Sequence, residues 1–146
     1  MLVYSEINMA ERLWTIPKER SKNGESLDVY LTDQMLAILN AAPKTSDVFV
    51  FSTDGENPST GYSKAKSALD KLTPGMNHWT LHDLRRTFRT GIAKLGVGPT
   101  VCEKCLNHTT PGVAGIYDRY TYAGEMKAAW MLWSEYVEHD LIGVSR

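Results

Sequence analysis

Short apolar runs in the first third of the chain follow the patterns of β-strands. In residues 26–31 (SLDVYL) every second side chain is apolar, as in a half-buried strand, and residues 13–17 (LWTIP) form a second run. Asn23-Gly24 lies between the two runs, which is a strong signal for a β-hairpin. Residues 47–52 (DVFVFS) predict a third strand.

Helical periodicity dominates the rest of the chain. Helices are predicted at residues 33–41, 61–72, 81–95, 99–106 and 124–139. Thr32 can cap the first, Pro43 and Pro74 stop the first two from extending, Gly96 ends the third and Pro99 can start the fourth. We therefore expect an α+β fold, mainly α, with helices around a small antiparallel three-stranded sheet.

Two of the predicted helices carry distinct apolar faces. In residues 81–95 the face at the 3.6-residue period consists of Leu84, Phe88, Ile92 and Leu95. A different face of the same helix carries His82, Arg85 and Arg89. The last helix carries the apolar stripe Met126, Trp130, Trp133 and Val137, which must pack on something.

The length and composition indicate one ordinary globular domain. A chain of 146 residues, 42% of them hydrophobic, can bury about two thirds of the surface that its unfolded form exposes. Neither a membrane span nor a signal peptide is predicted, so we expect a cytoplasmic protein. Cys102 and Cys105 are too few for a disulfide scaffold and fit a reducing compartment.

The overall charge argues mildly against a nucleic-acid partner, whereas its local distribution does not. The formal net charge is −1 and the pI is near 6.4, and DNA-binding domains usually carry a basic excess. Cations nevertheless crowd two segments, one with Lys18, Arg20 and Lys22 and the other with Arg85, Arg86 and Arg89. Any DNA site must therefore be local.

His82 and Arg85 are candidates for binding a phosphate. The three-residue spacing in His82-Asp83-Leu84-Arg85 brings an imidazole and a guanidinium side by side on a helix. A guanidinium fork matches two non-bridging phosphate oxygens. Metal-free phosphodiester cleavage needs such cations, together with a nucleophile and an acid for the leaving oxygen. Taken alone, the His-x-x-Arg pattern fits a solvated helix face better.

The order Cys102-x-x-Cys105-x-x-His108 could be mistaken for a metal site. A structural zinc ion usually takes four ligands from two separated pairs, and the sequence has no second pair. Buried thiols in a helix are the preferred interpretation. We expect no metal and no cofactor.

Three motifs in order give the chain a family resemblance. After His-x-x-Arg come Leu106-Asn107-His108 and, nine residues beyond His108, Tyr117 within GIYDRYTY. This order and spacing resemble the tyrosine recombinases, which carry His-x-x-Arg, Leu-Gly-His and a later tyrosine, and most of all their prophage-integrase branch. The similarity runs from about residue 4 to residue 139.

The resemblance implies a role for each motif residue. Tyr117 would attack the phosphate and become joined to the 3′ phosphate, while Arg85 holds the non-bridging oxygens. His82 and His108 would support the phosphate and the proton transfers. Lys22, on the predicted hairpin, would be the general acid for the 5′ hydroxyl. Apart from the resemblance, Arg86 and Arg89 are left as surface residues or contacts to the DNA backbone, and the local charge makes Lys18 and Arg20 further candidates for DNA binding. Outside the resemblance, the three tyrosines at 117, 120 and 122 could be packing aromatics.

One part of the family pattern is not found in the sequence. The family's first catalytic arginine lies in a Thr-Gly-x-Arg segment just before a motif that YSEIN at residues 4–8 matches, and Arg12 and Arg20 fall after that position. We therefore expect residues 1–146 to be an integrase catalytic domain truncated at its N-terminus, without the core-binding domain and with impaired catalysis.

The resemblance also implies partners. We expect double-stranded DNA and other recombinase subunits, with the last helix either exchanged onto a neighbouring subunit or folded back on its own domain. The alternatives are a non-catalytic DNA-binding module, since residues 82–106 resemble a helix-turn-helix, and a degenerate integrase remnant. A covalent protein–DNA adduct would separate the enzyme from both.

Overall fold

The computed structural model describes residues 1–109 and 120–143. Its antiparallel sheet has the order β1 (Ile7–Asn8), β2 (Leu13–Ile16) and β3 (Leu27–Tyr30). Ile7 pairs with Trp14, and Leu13 pairs with Tyr30. The predicted small three-stranded antiparallel sheet is confirmed.

The third strand of this sheet is not the predicted one. Residues 47–52 form no strand, and Phe49 makes only an isolated bridge with Val3. The bridge rests on two backbone hydrogen bonds, from Tyr4 to Val48 at 3.0 Å and from Val50 to Leu2 at 3.1 Å. The 3₁₀ turn Tyr4–Glu6 then takes the chain into β1, so no further pairs form.

The hairpin strands are confirmed, although their connection is longer than a two-residue turn. β2 ends at Ile16, and its partner in β3 is Leu27. Residues 17–26 join them and include a 3₁₀ turn at Lys18–Arg20. Gly24 takes a positive φ of 73°, but a two-residue type I′ turn requires positive φ at both central residues, and Asn23 has a negative φ.

Five α-helices lie in the described residues, close to the predicted positions. They are α1 (Asp33–Ala41), α2 (Tyr62–Leu72), α3 (Leu81–Lys94), α4 (Pro99–Cys105) and α5 (Ala123–Tyr136), the last continuing as a π-helical turn, Val137–Leu141. The Thr32 hydroxyl accepts from the Met35 amide, 3.4 Å away, as its predicted capping role requires. A capping box of Thr80 and Asp83 begins α3. No helix in the described ranges is both long and apolar enough to cross a membrane.

The core lies where α3, α4 and α5 meet. Its buried residues are Ile92, Cys102, Cys105, Met126, Ala129 and Trp130. The stripe of the last helix therefore packs within its own chain, with Met126 and Trp130 buried and Trp133 edge-on to Phe88 at 5.8 Å. The prediction of buried thiols is confirmed. Leu84, on the apolar face predicted for α3, is 56% exposed, because the packing of this helix begins one turn later, at Phe88.

Gly91 is where α3 approaches α5 most closely. A Cβ atom at this position would lie 2.0 Å from Cζ3 of Trp133, an indole ring that is held by Phe88. We expect Gly91→Ala to lower the free energy of unfolding by about 1–3 kcal/mol, the usual cost of overpacking. Gly124→Ala, in open space on α5, is the matched control and should leave stability unchanged or slightly raised. Urea unfolding followed by tryptophan fluorescence measures both, and equal midpoints for Gly91→Ala and the parent would contradict this packing.

Candidate functional site

Helix α3 and the end of α4 enclose an open cavity of about 240 Å³. The residues that line it are His82, Arg85, Arg86, Arg89, Thr90, Glu103, Leu106 and His108. Five predicted site residues therefore meet here, namely His82, Arg85, Arg86, Arg89 and His108. The sequence predicted that His82, Arg85 and Arg89 share a face, and the cavity confirms that arrangement.

The C-terminus of α4 delivers His108 to this cavity. Asn107 adopts a left-handed conformation with φ 54°, as the residue after a helix cap often does. Its amide donates to the Lys104 carbonyl at 2.9 Å, and the His108 amide donates to the Glu103 carbonyl at 3.0 Å. These two bonds are those of a Schellman motif. The motif reverses the chain and fixes the backbone from which the His108 ring extends.

Two neighbours orient the His108 ring. Nη2 of Arg85 lies 2.9 Å from Nε2, and because a guanidinium can only donate, Nε2 must be an acceptor. Nδ1 therefore carries the proton and donates to Oε2 of Glu103, 2.6 Å away. Arg85 also donates from Nη2 to the Leu106 carbonyl. The imidazole is thus held in one tautomer with its lone pair directed at Arg85.

Glu103 connects His108 to Arg89. Nε and Nη2 of Arg89 lie 3.1 and 3.0 Å from Oε1 of Glu103. The hydrogen bond from His108 and, after it, that from Arg89 lower the pKa of the Glu103 carboxyl, so this group is a carboxylate at neutral pH. Glu103 is a site residue that sequence reasoning missed. It belongs to neither motif, and only the reversal of the chain after α4 brings it to His108.

Lys22 reaches the neighbourhood of the site through its loop. Its side chain is exposed, and Asn23 next to it donates from Nδ2 to the Asn107 carbonyl at 2.7 Å. The hairpin loop therefore contacts the turn that carries His108. Lys22 does not line the cavity of Arg85.

The other predicted DNA contacts divide into two groups. Arg86 lines the cavity, and its side chain is 74% exposed beside Asp83 at 3.2 Å. Lys18 is exposed on the hairpin loop. Arg20, by contrast, donates to the Glu6 carboxylate and the Met1 carbonyl. Arg20 and Arg89 are therefore engaged within the protein.

Tyr117 lies outside the described residues, so its predicted role stays a prediction. Two later tyrosines are described. The Tyr120 hydroxyl donates to Oε2 of Glu125 at 3.4 Å, and this bond raises the pKa of Tyr120. The Tyr122 ring packs against the core and lies edge-on to that of Tyr120, with centroids 4.8 Å apart. Because its pKa is raised, the Tyr120 phenol ionises to the phenolate less easily than an unperturbed tyrosine.

The two thiols point into the core. The Cys102 thiol donates to the Val97 carbonyl at 3.4 Å, whereas the His108 ring faces Glu103 and Arg85. Within residues 1–109 and 120–143, no group of three His, Cys, Asp or Glu side chains is placed to hold a metal ion. Burial raises the pKa of Cys102 and raises that of Cys105 to about 12.

The raised pKa of Cys105 predicts a loss of stability in alkali. The folded protein keeps this thiol neutral up to a pH of about 12, whereas in the unfolded chain it ionises near pH 8.5. The contribution of the Cys105 thiol to the free energy of unfolding is therefore complete below the pKa of the unfolded chain. Above that pKa it is lost by up to about 1.4 kcal/mol per pH unit. Between pH 7.5 and 10.5 the parent should lose roughly 1–3 kcal/mol more than Cys105→Ala. Urea titrations at both pH values measure this, and identical pH dependence would contradict it.

Comparison with known proteins matches the chain to a protein family. The sequence model described as the Phage integrase family matches residues 1–123, a range that contains every predicted catalytic residue. Searches of curated proteins and of solved structures find no match.

Proposed function

Because the chain belongs to the phage integrase family of tyrosine recombinases, we propose that it cuts and rejoins DNA through a 3′-phosphotyrosyl intermediate. Site-specific DNA recombination, and with it DNA binding, is the activity of this family. One observation carries the proposal for this chain, namely that the two separate motifs converge on one open, cationic cavity. A solvated helix face would need no such convergence.

The cavity suits a phosphodiester. Arg85 has donors beyond the Nη2 that contacts His108, and its planar fork can take two non-bridging oxygens. His82 lies one turn before it on α3 and lines the same cavity. The phosphorane that forms during transfer carries more charge on these oxygens than the ground state does. Donors fixed around it therefore stabilise the transition state.

In the proposed reaction the Tyr117 phenol oxygen attacks phosphorus, and the bond from phosphorus to the 5′ oxygen breaks. Once Arg85 has turned from Nε2 of His108 to the phosphate, the phenol proton passes to this ring nitrogen, the acceptor atom that its hydrogen bonds define. Glu103 stabilises the imidazolium that results, because its carboxylate faces Nδ1. Lys22 gives a proton to the departing 5′ oxygen. Rejoining reverses these steps and frees Tyr117.

The DNA backbone would lie along the exposed cations beside the cavity. Lys18 is exposed, and Arg86 can reach phosphates from its exposed ion pair with Asp83. Arg89 and Arg20, by contrast, would first have to leave Glu103 and Glu6. Recombination also requires other subunits on the DNA. Exchange of α5 between subunits would require Met126 and Trp130 to leave the core that they occupy here.

Trapping of a covalent adduct tests the proposal. The chain is incubated with a pool of nicked duplexes of random sequence, and adducts that survive detergent are recovered and sequenced. A parallel arm uses a chain extended at its N-terminus by a Thr-Gly-x-Arg segment, which should raise the yield because a second guanidinium shares the phosphate. We expect adducts that persist in EDTA, since arginine, lysine and histidine side chains neutralise the charge. Binding without any adduct in either arm would support a non-catalytic DNA-binding module instead.

A further inference from the structure

The side chain of Asn107 joins the end of α4 to the hairpin loop. Its Nδ2 lies 2.8 Å from Oγ of Ser21, 3.3 Å from Oδ1 of Asn23 and 3.4 Å from the Glu25 carbonyl. Asn23 returns a bond from its own Nδ2 to the Asn107 carbonyl at 2.7 Å. These contacts link residues more than 80 positions apart in the sequence.

The contacts hold the residues on both sides of Lys22. Ser21 precedes Lys22, Asn23 follows it, and both bond to Asn107. The ammonium of Lys22 makes no ion pair with any residue in the described part of the chain. The backbone of Lys22 is therefore anchored while its side chain can still follow a leaving oxygen.

We propose that Asn107 is a positioning residue that fixes the Lys22 loop beside His108, an inference that rests on the proposed function. One residue thereby sets the distance between the proposed general acid and the phosphate site, because His108 follows Asn107 directly. A 1 Å misplacement of a catalytic group can cost about 100-fold in rate, so such an anchor has a measurable effect.

The conformation of Asn107 supports this role. Glycine takes the left-handed conformation at φ 54° without steric cost, whereas asparagine tolerates it less well. Glycine would therefore suffice if the position served only to end α4. The side chain adds the bonds to Ser21, Asn23 and Glu25.

Amide exchange in the protein without DNA tests the anchor. Asn107→Gly keeps the helix end and removes the side-chain bonds. In the parent the Gly24 amide donates to the Ser21 carbonyl and the Glu25 amide donates to Oδ1 of Asn23. Both amides should exchange about tenfold faster or more in the variant. Asn107→Asp should have a smaller effect of the same kind, since its carboxylate cannot donate to Asn23 or Glu25 but can accept from the Ser21 hydroxyl. Asn57→Ala is the control, because the Asn57 side chain bonds to Asp54 and not to the hairpin loop. Unchanged exchange in Asn107→Gly would overturn the inference.

Cleavage kinetics test the link to Lys22. Two nicked duplexes of the sequence recovered from the random pool are compared, one natural and one with sulfur in place of the bridging 5′ oxygen. A thiolate leaves without a proton because a thiol is far more acidic than an alcohol. We expect Asn107→Gly to cut the natural duplex about 10- to 100-fold more slowly than the parent, a smaller loss of rate than that of Lys22→Ala. It should cut the sulfur duplex at nearly the parent rate.

The outcomes separate the two proposals. If the parent cleaves, an equal loss of cleavage rate by Asn107→Gly on both duplexes, or no loss on either, would overturn the positioning role and leave the proposed function intact. Failure of both the parent and the N-terminally extended chain to yield an adduct from the random pool would overturn the proposed function instead, and the exchange rates would still decide whether Asn107 anchors the loop.

Discussion

Replacing Arg85 with alanine should slow the formation of the covalent adduct by about 100- to 1000-fold, the range found when one donor to a developing oxyanion is removed. Arg85 is exposed, so the loss should fall on the reaction and not on folding. Arg85→Lys should recover only part of the rate, because an ammonium keeps the charge but not the fork that spans two oxygens.

Arg86→Ala is the matched control for Arg85→Ala. Arg86 is the next residue on α3 and lines the same cavity, but it pairs with Asp83 and does not contact His108. Its loss should weaken DNA binding modestly, in a salt-dependent way, and leave the rate at saturating DNA nearly unchanged. Single-turnover adduct formation measures both variants. Equal effects of the two substitutions would contradict a specific phosphate contact by Arg85.

Replacing Tyr117 with phenylalanine should remove the adduct entirely, because no other atom of that side chain can attack phosphorus. Tyr120→Phe and Tyr122→Phe should retain it. The Tyr120 hydroxyl is bonded to Glu125, which raises its pKa, and the Tyr122 ring packs on the core. Gel analysis of the three variants with a labelled nicked duplex makes the comparison. An adduct that survives Tyr117→Phe and vanishes with Tyr120→Phe would refute the assignment by spacing.

Local patterns predicted most of the fold. The alternation in residues 26–31 and the capping residue Thr32 correctly located β3 and the start of α1, because both depend on neighbouring residues. The predicted third strand was wrong, because residues 47–52 have a strand-like composition but their strand pairing within the described residues is limited to a single bridge, from Phe49 to Val3. Pairing partners are a property of tertiary structure, which composition does not specify.

The site was predicted only in part, because some of its contacts also depend on tertiary structure. The spacing of His82 and Arg85 follows from the helical repeat, so their shared face was predictable. The hydrogen bond that His108 donates to Glu103 depends on a left-handed residue after α4. The bond that Asn107 donates to Ser21 depends on a hairpin loop more than 80 residues away. Neither follows from periodicity. The sequence carries one signal for the contact between Asn107 and Ser21, because Asn107 stands where the family that the chain resembles has a glycine.

Peptide mapping of the trapped adduct tests the proposed chemistry most directly. The adduct from the nicked duplex is digested with protease and nuclease, and mass spectrometry locates the residue and the DNA end that are joined. We expect a single phosphodiester between the phenol oxygen of Tyr117 and a 3′ phosphate, with a free 5′ hydroxyl on the released strand. A nucleotide attached to any other residue, or attached through a 5′ phosphate, would contradict the reaction proposed here.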